Sequence, residues 1–115
     1  MLQEKSGASA QRLTPLTVGQ VLGAVQQHKD DAFSVDGREL SQVAVVGTVR
    51  SAAKLSTNVT LVVYDSTGEV EVRQWLDAGE SQQEIISGMR IRVVGHVREF
   101  QEKRSILAFK IYRCD

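Results

Sequence analysis

Gln42-Val43-Ala44-Val45-Val46-Gly47-Thr48-Val49-Arg50 alternates with period two and carries a glycine inside the run. Successive strand side chains point to opposite faces, so Val43, Val45, Gly47 and Val49 share one face and Ala44, Val46, Thr48 and Arg50 the other. The pattern returns at residues 90–98, where Ile91, Val93, Gly95 and Val97 alternate with Arg92, Val94, His96 and Arg98. A glycine inside each of two long strands marks the places where a small barrel bends sharply.

Downstream of the first strand, residues 51–57 lose the alternation and read as a loop before a strand over residues 58–64. Asp65-Ser66-Thr67-Gly68 is a turn, with Gly68 expected to take positive φ. The strand that follows holds Val70 and Val72 on its core face. Ser81-Gln82-Gln83-Glu84 has capping-box spacing, and with Ile85, Ile86, Met89 and a stop at Gly88 it predicts a short helix. Beyond residue 98, Gln101-Glu102-Lys103-Arg104 reads as a polar turn into a last strand over residues 106–113.

Upstream, Thr17-Val18-Gly19-Gln20 is another capping box, and Val18, Val21, Leu22 and Val25 fall on one helical stripe. Asp36-Gly37, between Phe33 and Leu40, signals a tight hairpin. Residues 1–12 are polar and small and are expected to form a flexible arm, with one folded domain over residues 13–115. The order strand, strand, strand, helix, strand, strand predicts an all-β, five-stranded OB-fold Greek-key barrel. It has one short helix between strands three and four and another near the N-terminus. Other small barrels share this order, and periodicity does not choose among them.

Composition narrows function by exclusion. The chain has 115 residues, and 14 Lys plus Arg balance 14 Asp plus Glu, so any polyanion site must be a local patch. Cys114 is the only cysteine, which leaves no internal disulfide and, with His28 and His96 alone as further soft ligands, argues against a structural zinc. No apolar run approaches the roughly 20 residues of a membrane span. Phosphate-loop and nucleophile-elbow motifs are absent, and His96 reads as an exposed or half-buried strand histidine. Neither an enzyme, a cofactor nor a small-molecule substrate is expected.

The informative residues are two aromatics of the wrong parity. Trp75, the sole tryptophan, falls with Glu71 and Arg73 on the face opposite Val70 and Val72. Phe100 falls with Arg92, His96 and Arg98. Exposed aromatics beside arginine suit single-stranded nucleic acid, because every base offers a face to stack on and guanidinium meets phosphate. Parity leaves a rival open for each: a bulge that turns Trp75 inward, or a turn that folds Phe100 back. Tyr64, Phe109 and Tyr112 read as packing residues.

These residues also carry a resemblance. Pro15-Leu16-Thr17, Ser41-Gln42-Val43-Ala44-Val45-Val46-Gly47, Lys54 with Thr57-Asn58, Val72-Arg73-Gln74-Trp75 and Val94-Gly95-His96-Val97-Arg98-Glu99-Phe100-Gln101 stand in order. With Lys103-Arg104-Ser105-Ile106-Leu107-Ala108-Phe109-Lys110-Ile111, they resemble the central OB domain of the middle-subunit family of replication protein A, the eukaryotic heterotrimer. The resemblance implies single-stranded DNA binding, with bases stacked on Trp75 and Phe100. Around them Arg50, Lys54, Asn58, Arg73, Arg98, Lys103 and Arg104 would form the rest of the site. It further implies a nuclear protein of DNA replication, repair and recombination, partnered by the large and small subunits. That family also has a phosphorylated N-terminal tail, a C-terminal bundling helix and a winged-helix domain; the residues here stop at Cys114-Asp115, as expected of a fragment. Two alternatives stand beside this reading: a subunit-assembly scaffold using Val46 and Val62, and a different ligand, as in a telomere-end complex or an anticodon-binding OB domain.

Overall fold

The computed structural model describes residues 12–28, 31–77 and 84–114. Its elements in chain order are β1 (Leu13–Pro15), α1 (Val18–Gly23), β2 (Ser34–Val35), β3 (Arg38–Glu39), β4 (Gln42–Lys54), β5 (Asn58–Asp65), β6 (Gly68–Trp75), β7 (Arg90–Phe100) and β8 (Lys103–Arg113). β4, β5 and β6 form an antiparallel meander. β7 pairs with both β4 and β8, and β8 runs parallel to β6, so five strands close on themselves. This is the expected all-β, five-stranded barrel.

The two strand glycines sit where backbones meet. At Gly47 an added Cβ would lie 2.7 Å from the Tyr64 carbonyl oxygen and from Val63, and Gly95 is tighter still. Inside the barrel Val43, Val45, Val49, Leu61, Val63, Val72, Ile91, Val93 and Ile106 are essentially inaccessible. Burial of each contributes on the order of 1.5–3 kcal/mol.

Several local expectations are corrected. β4 does not end at Arg50 but continues to Lys54, pairing Ser51↔Val62 through Lys54↔Val59. A bulge at Arg50 breaks the register, and beyond it both faces of β4 are exposed, so hydrophobic alternation has no core to report. Only Leu55 to Thr57 lie between the two strands. In β8 the register slips at Phe109, so Ile106, Ala108 and Ile111 face inward while Phe109 and Tyr112 are about half exposed rather than packed. β1, absent from the sequence expectation, is three residues pairing parallel to the edge of β4, too short for any periodicity to show. Val62 is half-buried rather than exposed.

The N-terminal helix begins as its capping box requires, with the Gln20 N–H donating to Thr17 Oγ1 and the Thr17 N–H to Gln20 Oε1 at 2.9 Å. It ends at Gly23 after six residues. Val18 and Val21 are buried, but Leu22 is exposed and Val25 has left the helix to bridge Ser34. In the other expected helix, residues 81–83 lie outside the described residues; 84–86 have no helical structure, and Ser87-Gly88 form a turn with Gly88 at φ 93. The Asp36-Gly37 hairpin is present, both residues at positive φ.

Asp65 ties α1 to the barrel. One carboxylate oxygen accepts from the Thr67 N–H and hydroxyl, and the other accepts from the Val18 N–H at 2.9 Å. Gly68 is not at positive φ; a Cβ there would come within 3.0 Å of Cδ1 of the exposed Leu22. Burial pushes the Asp65 carboxyl up, but bonds from the Thr67 side chain and from the backbone of Val18, Thr67 and Gly68 outweigh it and hold the pKa below the ordinary value. A depressed folded-state pKa adds stability above the unfolded value and loses it as pH falls through the folded one. Melting temperature is therefore expected to drop below about pH 4, and Asp65→Asn should lower it at neutral pH while flattening that acid slope. Thermal melts of both proteins across pH check this; parallel curves refute it.

Candidate nucleic-acid interface

The odd parity survives folding. Trp75 closes β6 with 58% of its surface exposed, and Phe100 closes β7 at 74%. Neither plugs the core. The Trp75 end of β6 lies beside β5, where Asn58 is its register partner, and β6 also pairs along Glu71↔Ser105 to Arg73↔Leu107 with β8. Phe100 faces Lys103 across a two-residue turn. That turn is Gln101-Glu102, both at positive φ, so Lys103 and Arg104 belong to β8 and not to the turn.

These strands enclose a groove of about 250 Å³ lined by Trp75, Phe100, Arg73, Arg98, Lys103 and Glu71, with β8 as its floor. The Arg73 guanidinium lies 6.0 Å from the Trp75 ring centroid, within cation–π range. Lys103 Nζ approaches Glu71 Oε1 at 2.8 Å, and Arg73 lies 3.5 Å from the other oxygen. Glu71 was not among the candidate site residues; its parity with Arg73 and Trp75 is the sequence signal that points to it. A larger depression of about 690 Å³ is lined by Asp31, Glu99 and Glu102 beside His96, with Arg98 lining both. Its carboxylates repel phosphate, which makes the smaller cationic groove the nucleic-acid candidate.

The remaining candidates are placed elsewhere. Arg50, at the β4 bulge, pairs with Glu69 and stacks over Tyr64 at 4.5 Å. Lys54 stands at the end of β4, next to the turn that leads to Asn58. Asn58 is buried, donating to Thr57 Oγ1 and accepting from Thr60, so it shapes the strand end behind Trp75. His96 is half-buried, its Nδ1 3.1 Å from the Ser41 carbonyl and its ring edge-on to Phe109.

Arg104 is the clearest departure. Parity turns it to the face opposite Lys103, where it bonds its cross-strand partner Glu99 and stacks on Phe33 at 4.6 Å. Its Nη1 also donates to the carbonyls of Val21 (2.7 Å), Leu22 (3.1 Å) and Ala24 (2.9 Å) at the end of α1, the first of which also accepts from the Ala24 N–H. Arg104→Ala is expected to lower stability by about 2 kcal/mol, since charge-assisted bonds vanish and carbonyls are orphaned. Urea unfolding reads this directly; unchanged stability with a steep loss of oligonucleotide affinity would instead make Arg104 a phosphate contact.

Comparison with known proteins bears on what the groove serves. Residues 43–113 match the family of the OB-fold nucleic acid binding domain. The chain belongs to that family. This OB-fold chain is 42% identical over 117 residues to the replication protein A 32 kDa subunit of Xenopus tropicalis, covering 98% of the chain and 42% of that protein. The chain thus spans less than half the length of the curated relatives it matches. Among solved structures, a chain of a replication protein A heterotrimer bound to single-stranded DNA superposes with a TM-score of 0.81 at 41% identity, over 90% of this chain and 82% of that one. The Schizosaccharomyces pombe Stn1–Ten1 complex gives 0.75 at 16% identity, over 90% and 79%, a likeness of fold alone. Among the described residues no cluster of His, Cys, Asp or Glu could hold a metal, and no helix is long and apolar enough to cross a membrane.

Proposed function

We propose that this OB domain is a non-catalytic module that binds single-stranded DNA by stacking bases on Trp75 and Phe100. The observation that carries the reading is the pair of large aromatics, 58% and 74% exposed, on one cation-lined groove. Burying such rings in a monomer's own core would stabilise it, and a base is a ligand that recovers this contact without sequence preference. Arg73, Arg98 and Lys103 meet phosphates from the groove itself, with Lys54 at the adjoining strand end; Arg50 and Asn58 support rather than contact the strand.

The module works within a replication protein A-type heterotrimer, with large and small subunits as partners, in nuclear DNA replication, repair and recombination. Similarity to the 32 kDa subunits over nearly all of this chain supports that setting. With zero net charge and a few groove cations, affinity of the isolated domain is low, and neighbouring OB domains on the same strand raise it through effective concentration. A scaffold reading is favoured by one observation, the outward apolar face carrying Val46, Phe109 and Tyr112.

The sole tryptophan makes the test direct. Titrating oligo-dT at low salt is expected to quench Trp75 fluorescence saturably. An unchanged signal at saturating oligonucleotide, with Trp75→Ala leaving affinity intact, would leave the scaffold reading in its place.

A further inference from the structure

We propose that Glu71 is the groove's internal competitor for the DNA backbone, a residue that sets how tightly and how salt-dependently the strand is held. The inference rests on the single-strand reading above. Glu71 shares the outward face of β6 with Arg73 and Trp75, and its register partner Ser105 brings the start of β8 alongside. Its two carboxylate oxygens are divided between two cations, Lys103 at 2.8 Å and Arg73 at 3.5 Å. The side chain of Glu71 is 21% exposed, against 70% for Lys103 and 46% for Arg73. The carboxylate therefore lies low in the groove and the cations reach over it.

A phosphate entering this groove meets cations that already have an anionic partner. Each contact either displaces the carboxylate, leaving its charge uncompensated beside the backbone, or shares the cation with it. Both outcomes take back part of the Coulomb gain. Of Arg73, Arg98 and Lys103, only Arg98 escapes this, its guanidinium donating to the Val97 carbonyl at 3.2 Å. Weak intrinsic grip follows from this one residue as well as from neutral net charge, and it lets the strand leave the module readily.

Glu71→Gln keeps the shape and a carbonyl acceptor but removes the charge. In the 115-residue chain, its affinity for oligo-dT at low salt is expected to rise about 3- to 10-fold. The slope of log affinity against log salt should steepen by about 0.7 to 1.4, one to two further phosphate contacts on a single strand. Lys103→Ala should cost more affinity in the Glu71→Gln background than in the wild type, because only there is Lys103 free for phosphate. Glu39→Gln, which removes the same charge from β3 outside the groove, controls for net charge and should change neither quantity comparably.

Affinity and slope that are unchanged or lower in Glu71→Gln overturn the inference. So does a loss confined to oligo-dC with oligo-dT unaffected, which would make Glu71 an acceptor for a base amine. These failures are separable from failure of the single-strand reading: if wild-type fluorescence responds to oligo-dT and Trp75→Ala weakens binding, that reading stands whatever Glu71 does.

Discussion

Replacing Trp75 and Phe100 together with alanine is expected to lower oligo-dT affinity by two orders of magnitude or more while thermal unfolding moves little. Stacking on an aromatic contributes about 1–3 kcal/mol per base, so each single alanine should weaken binding roughly 5- to 150-fold. On the proposed reading both rings act on one strand, so the double variant need not equal the product of the singles. Stability behaves differently because both rings are mostly in water, and their removal opens no cavity. Fluorescence anisotropy of labelled oligo-dT measures the binding of the variants that lack tryptophan, and melting curves measure stability. A core-scale loss of about 3–5 kcal/mol in Phe100→Ala would show that the ring is a packing residue. Unaltered affinity in both single variants would move the strand to another face.

Among the glycines of the described residues, Gly95 should tolerate an added methyl least. A Cβ at Gly95 would stand 2.2 Å from the Leu107 carbonyl oxygen, 2.7 Å from Ala108 Cα and 2.8 Å from the Leu107 carbonyl carbon. All three are backbone atoms of β8, so no rotamer change relieves the contact; the strands must separate beside the bulge where Val94 and Gly95 change register. Overpacking of this kind costs at least about 3 kcal/mol, or a fall in melting temperature on the order of 10–20 °C for a domain of this size. Gly23→Ala is the matched control, because nothing lies within 4 Å of its added methyl and α1 gains a better helix former. A Gly95→Ala melting curve within two or three degrees of wild type, by about that measure, would mean the strands tolerate separation there.

The comparison of Lys103 with Arg104 shows how much of the site could be read in advance. Both were expected at a turn beside the groove. Their strand positions instead send Lys103 to the groove and Arg104 to the end of α1. Nothing local marks Arg104 as a helix clamp, because the carbonyls it bonds lie about 80 residues earlier in the chain. Trp75 was legible because β6 is regular from Gly68 onward, so parity counted from Val70 and Val72 stays true to the end of the strand. Phe109 was not, because it is the extra residue of β8: counted on from Ile106 it points outward, counted back from Ile111 inward, and no sequence mark decides between them. Ser51 to Lys54 were missed for another reason: they pair with β5 beyond the core, where main-chain bonds hold a strand that no apolar face announces.

The amino-acid sequence by itself determined the core runs of the barrel strands, the two crossing glycines, the capped start of α1 and the odd parity of the two aromatics. Each is a short-range pattern, imposed by backbone geometry and by the burial of alternate side chains. Tertiary structure alone decided which cations share the groove, that Glu71 lies among them, and that Arg104 serves the fold. Those outcomes depend on the register between β6, β7 and β8 and on two bulges, which bring residues far apart in the chain within a few ångströms.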